Sequence, residues 1–425
     1  MPSDTTLKFK PKLRFAEFRN EPEWKTEKLG AIADLVSEKV GDRNAIPLSV
    51  TSGVGLVSQQ EKFGRTIAGN QYKNYLLLKR NDFAYNKSAT KDFPQGFIAL
   101  YSGDEPAAVP NSIFTCFRVR SDSPDPKYLD YLFRRNLHGR WLKKYIEVSA
   151  RAHGSLSVDD NDLLSLPIPL PAGTSSLAEQ QKIAECLSTL GELIGAEYQK
   201  LYALKAHKRG LMQQLFPRAG ESLPGRRFPE FQNAPEWSYG ELCNYLETVI
   251  DYRGKAPPKS NSGIPLITAK NVRFGWLDMS NDEYIEDAQY DTWMSKGIPE
   301  AEDILFTTEA PLGNVAPFPS KGRFALGQRI LTLRANKGKC LPGFLFQFLL
   351  SPVMQKAIEF RSTGSTAKGI KASVFVSIGF CVPGIEEQRR IASCLSSLDE
   401  LIAAQSDKLE ALQTHKKGLM QQLFP

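Results

Sequence analysis

The sequence predicts an α+β protein in which two α/β modules, related by a pseudo-twofold axis, are joined by two long helices forming an antiparallel coiled coil. Three observations predict it. A stretch of 39 residues occurs twice, 208 positions apart: 179–217 and 387–425 agree at 26 positions without a gap. A shorter repeat opens each half, with 14–24 reading RFAEFRNEPEW and 227–237 reading RFPEFQNAPEW, 213 positions apart. The regions between these markers are unlike each other. Two constant frames around two variable inserts suit a molecule that reads two different targets through one geometry.

The first insert, 14–172, opens on its short repeat and reaches an acidic turn leading into a short apolar strand, Asp82-Phe-Ala-Tyr-Asn86-Lys87. The second insert, 227–383, has Asp303-Ile-Leu-Phe-Thr-Thr308 in the same role. Next come YLDYLF at 128–133 and FLFQFL at 344–349, which read as a buried helix in each insert rather than an aromatic binding stripe. Near the insert ends lie two loops rich in small and basic residues, RAHGS at 151–155 and TGSTAKGIK at 363–371, followed by Pro-punctuated strands at 166–171 and 380–383. Short strands, many turns and few helices predict an α/β module in each half. The expected divisions are 1–175 for the first module, 176–217 for the first helix, 218–383 for a linker and the second module, and 384–425 for the second helix.

The long repeat is a helix with a seam. In the first copy Ile183, Leu187, Leu190, Ile194, Leu201, Leu204, Leu211 and Leu215 alternate by threes and fours once Glu197 and Lys208 fill the gaps. The second copy repeats the pattern with Ile391, Leu395, Leu398, Ile402, Leu409, Leu412, Leu419 and Leu423, and with Gln405 and Lys416 at the polar places. That is an a/d heptad seam, which needs a partner helix. The partner is either the other copy or, in the alternative reading, the helix's own module. Ser176-Leu-Ala-Glu179 has the form of a capping box and predicts the first helix start; the second copy has Gly384 there. Pro217 and Pro425 end both helices. Direction follows from the linker. About ten residues separate Pro217 from Arg227, a reach of ~35 Å at most, whereas a helix of ~38 residues is ~57 Å long. Antiparallel pairing delivers the chain directly to the second insert and makes the helices a spacer between two modules.

Composition narrows the function. Hydrophobic residues at 41% and charged residues at 24% are ordinary for a globular protein. No apolar run approaches the ~18 residues that span a bilayer, and the first twenty residues lack the apolar stretch of a signal peptide, so the expected location is cytoplasmic, with no membrane partner. The six cysteines include no CxxC pair, which suggests neither a zinc site nor a disulfide framework. A net charge of +7 and a pI near 8.9 suit a nucleic-acid partner but also many enzymes. Catalytic signatures are missing: Gly53-Val-Gly55 lacks the third glycine of a dinucleotide fingerprint, and Gly322 to Gly327 lacks the Lys-Ser/Thr of a nucleotide loop. No Asn-Pro-Pro-Tyr run of the amino-methyltransferase kind occurs. The residues describe a binder, with catalysis, metal and cofactor elsewhere.

Loops rich in Gly, Ser, Thr and Lys let backbone N–H groups approach phosphates, although any one of them is equally readable as a surface turn. Base readout calls for Arg, Lys, Asn and Gln in the dissimilar loops. In the first insert the candidates are Asn86 and Lys87, with 51–60 and 86–95 as the reading stretches, and Arg151, His153 and Ser155 of the small-residue loop for phosphates. In the second they are Lys270, Asn271, Arg273, Gln328, Arg329, Thr366, Lys368 and Lys371.

At this point the residues resemble a family. A proline-rich strand leading into Glu-Gln-x-x-Ile-Ala (Glu179-Gln180…Ile183-Ala184 and Glu387-Gln388…Ile391-Ala392), together with the ending Lys-Arg/Lys-Gly-Leu-Met-Gln-Gln-Leu-Phe at 208–216 and 416–424, resembles the DNA-specificity subunit of type I restriction–modification systems over essentially the whole chain. The resemblance implies two target-recognition domains, each reading one half of a split, asymmetric site in double-stranded DNA, with the helices fixing the spacing. It implies assembly with two methyltransferase subunits that bind S-adenosylmethionine and methylate adenine at N6. It also implies motor-nuclease subunits that consume ATP with Mg2+, unless the system only methylates. The exposed helix faces would be the partner surface. Four extra residues near 172–175 set the first half apart from the second. A self-contained DNA-modifying enzyme and a coiled-coil scaffold without a DNA role are the alternatives.

Overall fold

Runs of apolar and β-branched residues broken by turn residues make short strands here, and the long a/d repeats make two helices. The structure, a computed structural model, describes residues 10–51, 54–91, 93–120, 124–146, 156–252, 256–280, 283–364 and 368–425. The chain divides into two units, Met1–Ala196 with Leu409–Pro425, and Glu197–Lys408.

In the first unit β1 (Lys25–Lys28) leads through α1 (Leu29–Ile32) to β2 (Ala33–Leu35), β3 (Ile46–Thr51), β4 (Gly55–Ser58), α2 (Gln59–Phe63), β5 (Leu76–Leu78), β6 (Asp82–Asn86), β7 (Phe97–Leu100), β8 (Ala107–Val109) and β9 (Phe114–Val119). Then follow α3 (Pro126–Arg134), α4 (Leu137–Leu142), α5 (Asp160–Leu164), β10 (Pro167–Leu170) and the start of α6 (Ser176–Leu215). One sheet has the order β2-β9-β6-β7, all antiparallel; another has the order β4-β3-β8-β5, with β3 and β8 parallel. Every residue of β6 is buried, because it lies inside its sheet. β10 carries Pro167 and Pro169, which lack N–H donors, and pairs only with β1.

The second unit repeats the plan. It runs β11 (Ser238–Glu241), β12 (Leu246–Asp251), β13 (Ile264–Ile267), β14 (Tyr284–Ile285), α7 (Tyr290–Trp293), β15 (Ile304–Thr307), β16 (Val315–Pro317), β17 (Ala325–Leu326) and β18 (Ile330–Ala335). It continues with α8 (Pro342–Leu349), α9 (Pro352–Arg361), α10 (Ala372–Val376), β19 (Gly379–Val382) and α11 (Ile385–Leu423). Its sheets are β12-β18-β15-β16 and β14-β13-β17, with an isolated β11·β19 pair. The two acidic turns seen in the sequence do equivalent work. Asp82 accepts two bonds from Arg118 at 2.6 and 2.7 Å, and Asp303 accepts two from Arg334 at 3.0 and 2.8 Å.

The duplicated motifs prove to be clamps. Arg14 of the short repeat grips Glu179 with two bonds of 2.7 and 2.6 Å, and Arg227 grips Glu387 at 2.9 and 2.6 Å. Both glutamates are buried. The adjacent glutamines hold the first turn of the insert helix: Gln180 Oε1 accepts from the Asp125 N–H at 2.9 Å, ahead of α3, and Gln388 Oε1 from the Leu341 N–H at 2.7 Å, ahead of α8. These side chains satisfy backbone donors that a helix start leaves open. α6 does begin at Ser176, but the capping box does not form. The Glu179 carboxylate goes to Arg14 and to the Trp24 indole N–H at 3.2 Å, while Ser176 Oγ donates to the Pro171 carbonyl.

The seam positions are buried or half-buried throughout. Ile183, Leu187, Leu201, Leu215, Ile391, Leu395, Leu409 and Leu423 are buried, and Leu190, Ile194, Leu204, Leu211, Leu398, Ile402, Leu412 and Leu419 are half-buried. Within each unit the pairing is antiparallel, as the linker argument requires. In the second unit Glu197 meets Gln405 and Lys408 at 2.6 and 2.5 Å while Lys208, further along α6, meets Asp399, further back on α11, at 2.6 Å. In the first, Lys416 lies against Gly191. The helices continue through Gly210 and Gly418 and stop before Pro217 and Pro425. Each helix end is part of a core. Leu423 and Phe424 sit among Trp24, Tyr128, Phe133 and Leu187, and Leu215 and Phe216 among Trp237, Phe344, Phe348 and Leu395.

Candidate nucleic-acid interface

In both units the loop before α5 or α10 is tied to the end of the same sheet strand. In the first unit, Leu156 N–H donates to the Lys87 carbonyl at 2.7 Å, just beyond β6. In the second, Ile370 N–H donates to the Thr308 carbonyl at 3.0 Å, just beyond β15. Arg151, His153, Ser155 and Thr366 lie outside the described residues.

Asn86 is buried, and its Oδ1 accepts from the Ser88 N–H at 3.0 Å. It lines a cavity of about 390 Å³ with Ser49, Thr51, Lys62 and Thr90. Lys62 Nζ caps the Val50 carbonyl at 2.5 Å. Gln59 on the same wall is buried, with its amide oxygen accepting from Ile67 and Ala68, so it shapes the loop rather than facing outward. Lys87 is half-buried.

In the second unit three stretches converge. Gly327 N–H donates to the Ile267 carbonyl at 2.7 Å, bringing half-buried Gln328 beside the loop after β13. Thr308 N–H donates to the Arg329 carbonyl at 3.0 Å, and Thr363 and Gly369 exchange backbone bonds. Arg329, at φ +67°, pairs with Glu309 at 3.0 Å, and Lys368 with Glu359 at 2.6 Å. Lys371 is exposed. Lys270 is largely exposed and lies 3.6 Å from Glu283. Arg273 bonds Asp278 at 3.0 Å, and Asp278, held also by the Ser280 hydroxyl and N–H, is depressed to about 2. Asn271 differs from these. It is fully buried, its Oδ1 accepts from Thr268 N–H and Oγ1, and its amide donates to the Asp278 carbonyl. Asn271 builds the loop that displays Lys270 and Arg273.

Sequence reasoning passed over two residues of that loop. Phe274 is 54% exposed and Trp276 56%, on a turn closed by Arg273 N–H to the Trp276 carbonyl at 2.9 Å. The signal was present as Arg-Phe-Gly-Trp: aromatics that bury nothing, beside cations. Among the described residues no group of three or more His, Cys, Asp or Glu is placed to hold a metal ion, and no helix is long and apolar enough to cross a membrane.

Fold and surface together define a duplicated, two-module binding protein with one frame and two sets of loops. Residues 240–414 match the family described as the Type I restriction modification DNA specificity domain. The chain is 29% identical over 339 residues to a Methanocaldococcus jannaschii protein named as the MjaX type I restriction enzyme specificity subunit, covering 77% of this chain and 74% of that one. It is 22% identical over 295 residues to the MjaVIII specificity subunit of the same organism, covering 66% and 67%. Among solved structures it shares the fold of the type I restriction–modification S subunit from M. genitalium, with a TM-score of 0.58 at 16% identity over 98% of this chain and 99% of that one. A chain from a structure concerned with assembly and conformational transition of the type I system gives 0.56 at 17% identity, over 95% and 97%. By the match over 240–414 and by relatives over most of its length, this chain is similar to the DNA-specificity subunits of type I restriction–modification systems.

Proposed function

We propose that this chain is the non-catalytic, sequence-reading subunit of a type I restriction–modification complex, and that each module reads one half of a split, asymmetric site in double-stranded DNA. The modules are 1–175 and 218–383; the helical segments 176–217 and 384–425 set the spacing of the half-sites and dock two methyltransferase subunits in the cytoplasm. Those subunits bring S-adenosylmethionine and adenine-N6 chemistry, and motor-nuclease subunits bring ATP and Mg2+. The observation that carries this reading is the pairing of one clamp with two loop sets. Arg–Glu and Gln–backbone contacts recur in both units, while the loops differ, with Asn86 and Lys87 in one and Arg329, Lys368 and Lys371 in the other. Side chains of this kind read base edges and phosphates, and the exposed Phe274 and Trp276 add apolar surface for thymine methyl groups in the groove.

The test is to co-express the chain with the methyltransferase subunit encoded beside it and to map methylated adenines by single-molecule sequencing. A split motif of two fixed half-sites is the expected result. Replacing Arg329 and Lys371 by Ala should relax or abolish one half-site and leave the other intact; loss of both halves equally, in a complex that still assembles, is incompatible with one module per half-site.

A further inference from the structure

Where α3, α6 and α11 meet in the first unit, a cavity of about 530 Å³ is lined by Arg134, Arg135, Arg140, Lys416 and Lys417 above the apolar side chains of Ile194 and Met420. Among the described residues no carboxylate lines it. Asp130, which lies near Lys416, is buried, with Oδ2 accepting from Arg134 Nε at 2.7 Å. Arg135 is committed to the Pro425 carbonyl at 3.1 Å and to the face of Phe424. Arg140 and Lys417 are exposed and, among the described residues, have no ion pair.

Lys416 shows what is missing. The long repeat equates it with Lys208, and it equates Gly191 with Asp399. In the second unit Lys208 Nζ meets Asp399 Oδ1 at 2.6 Å, and Asp399 Oδ2 accepts from Gln347 at 2.7 Å. In the first unit the carboxylate is gone. A Cβ on Gly191 would stand 2.6 Å from Lys416 Nζ, and the amine lies instead over the face of Tyr131, 5.4 Å from its centroid. Burial and the nearby Arg134 hold the Lys416 amine below its ordinary range, with Asp130 opposing them.

We propose that this junction is a docking site for an acidic, amphipathic segment of a partner subunit, whose carboxylate takes the place that Asp399 fills in the second unit. The proposal rests on the reading of the chain as a subunit that docks methyltransferases. An acidic protein segment fits better than a nucleic acid. Lys416 is half-buried between helices, beyond the reach of phosphates fixed on the outside of a stiff duplex. Ile194 and Met420 offer apolar contact that a phosphate backbone cannot use, whereas an amphipathic segment supplies apolar and acidic groups from one face. The two docking places are consequently unequal. The first depends on charge brought by the partner, and the second has its own.

The experiment uses the full chain with the methyltransferase subunit encoded beside it, followed by native mass spectrometry and titration across ionic strength. Wild type should bind two copies, one of them lost first as salt rises. Reversing the exposed cations in an Arg140→Glu, Lys417→Glu double variant should weaken that copy about tenfold or more and leave the other unchanged. Gly191→Asp, which gives Lys416 an internal carboxylate, should weaken the same copy more mildly. Hydrogen exchange checks that the first unit stays folded in both variants. Equal binding of both copies by wild type and variants overturns the proposal while leaving the subunit reading intact. Unchanged assembly with a fall in the chain's own DNA affinity also overturns it and makes the cavity a phosphate site. If wild type binds no copy, the subunit reading fails and the proposal falls with it.

Discussion

The two units share a frame down to single hydrogen bonds, yet they differ in how buried polar groups are satisfied. Trp24 donates its indole N–H to Glu179, whereas the equivalent N–H of Trp237 is buried without a partner among the described residues. His138 is fully buried on α4, whereas the side chains that α9 buries, Met354 and Ile358, are apolar. Lys208 has a carboxylate and Lys416 does not. Backbone geometry at the frame is fixed by buried ionic clamps that tolerate no vacancy, because an unpaired buried charge is costly. Groups beside the clamp have been free to diverge. The comparison therefore predicts units of one fold with different responses to mutation and pH, which hydrogen exchange read peptide by peptide can separate.

The largest effect should come from the clamps. Glu179→Ala takes the carboxylate from Arg14 and Trp24, and Glu387→Ala takes it from Arg227, leaving each guanidinium only backbone carbonyls; each should cost its unit about 3–5 kcal/mol, the range for breaking one side of a buried pair. The first should cost about 1 kcal/mol more, for the lost Trp24 bond. Trp24→Phe and Trp237→Phe sharpen the point. The former breaks a hydrogen bond, while the latter removes a donor that had none, so it should be the milder change. An equal cost for the two Trp variants would break the distinction between the clamps.

Acid should separate the units next. Burial lowers His138 to about 4, while its Nε2 lies 3.1 Å from the Gly96 carbonyl and its Nδ1 has no partner among the described residues. An unfolded histidine titrates near 6.5. Between those values the unfolded chain binds the extra proton, so His138 costs the first unit nothing above 6.5 and destabilises it as pH falls towards 4. The slope approaches about 1.4 kcal/mol per pH unit. His138→Met should remove this slope from the first unit. A slope that survives the substitution would assign the acid response to other groups.

Much of this was legible in the sequence, for physical reasons that vary by element. The seam could be read because its period is local and its partner is another copy of itself. The buried helices at 128–133 and 344–349 and the strands at Asp82 and Asp303 could be read because apolar runs beside turn residues have few solutions. The job of Glu179 could not, since its partner Arg14 lies 165 residues away and a nearer rule, the capping box, fitted the same letters. Nor could the docking of Phe424 against Tyr128 in the first unit, with ring centroids 5.3 Å apart. Asn271 carried the composition of a base reader, but the same amide that reads a base also closes a turn, and only burial tells the two apart. Phe274 and Trp276 were visible as letters; what sequence lacked was their exposure.

The smallest effect concerns the junctions and tests whether one residue accounts for their difference. Asp399→Ala should cost the second unit about 1–2 kcal/mol, because Lys208 is left buried while Asp399 itself is partly in water. Gly191→Asp should stabilise the first unit by about 0.5 kcal/mol, from a partly exposed ion pair and the replacement of a helical glycine. The lysine amine is the flexible end of its side chain and can yield to the new Cβ. Lys416 supplies a second readout. Its folded value lies below that of the unfolded chain, so in the alkaline range the unfolded state holds more protons. The first unit should thus gain stability as pH rises through the folded value towards the ordinary lysine range. With Asp at 191 the amine is paired, its titration moves back up, and that alkaline gain should vanish. If Gly191→Asp leaves both the stability and the alkaline slope of the first unit where they were, the two junctions differ by more than a missing carboxylate.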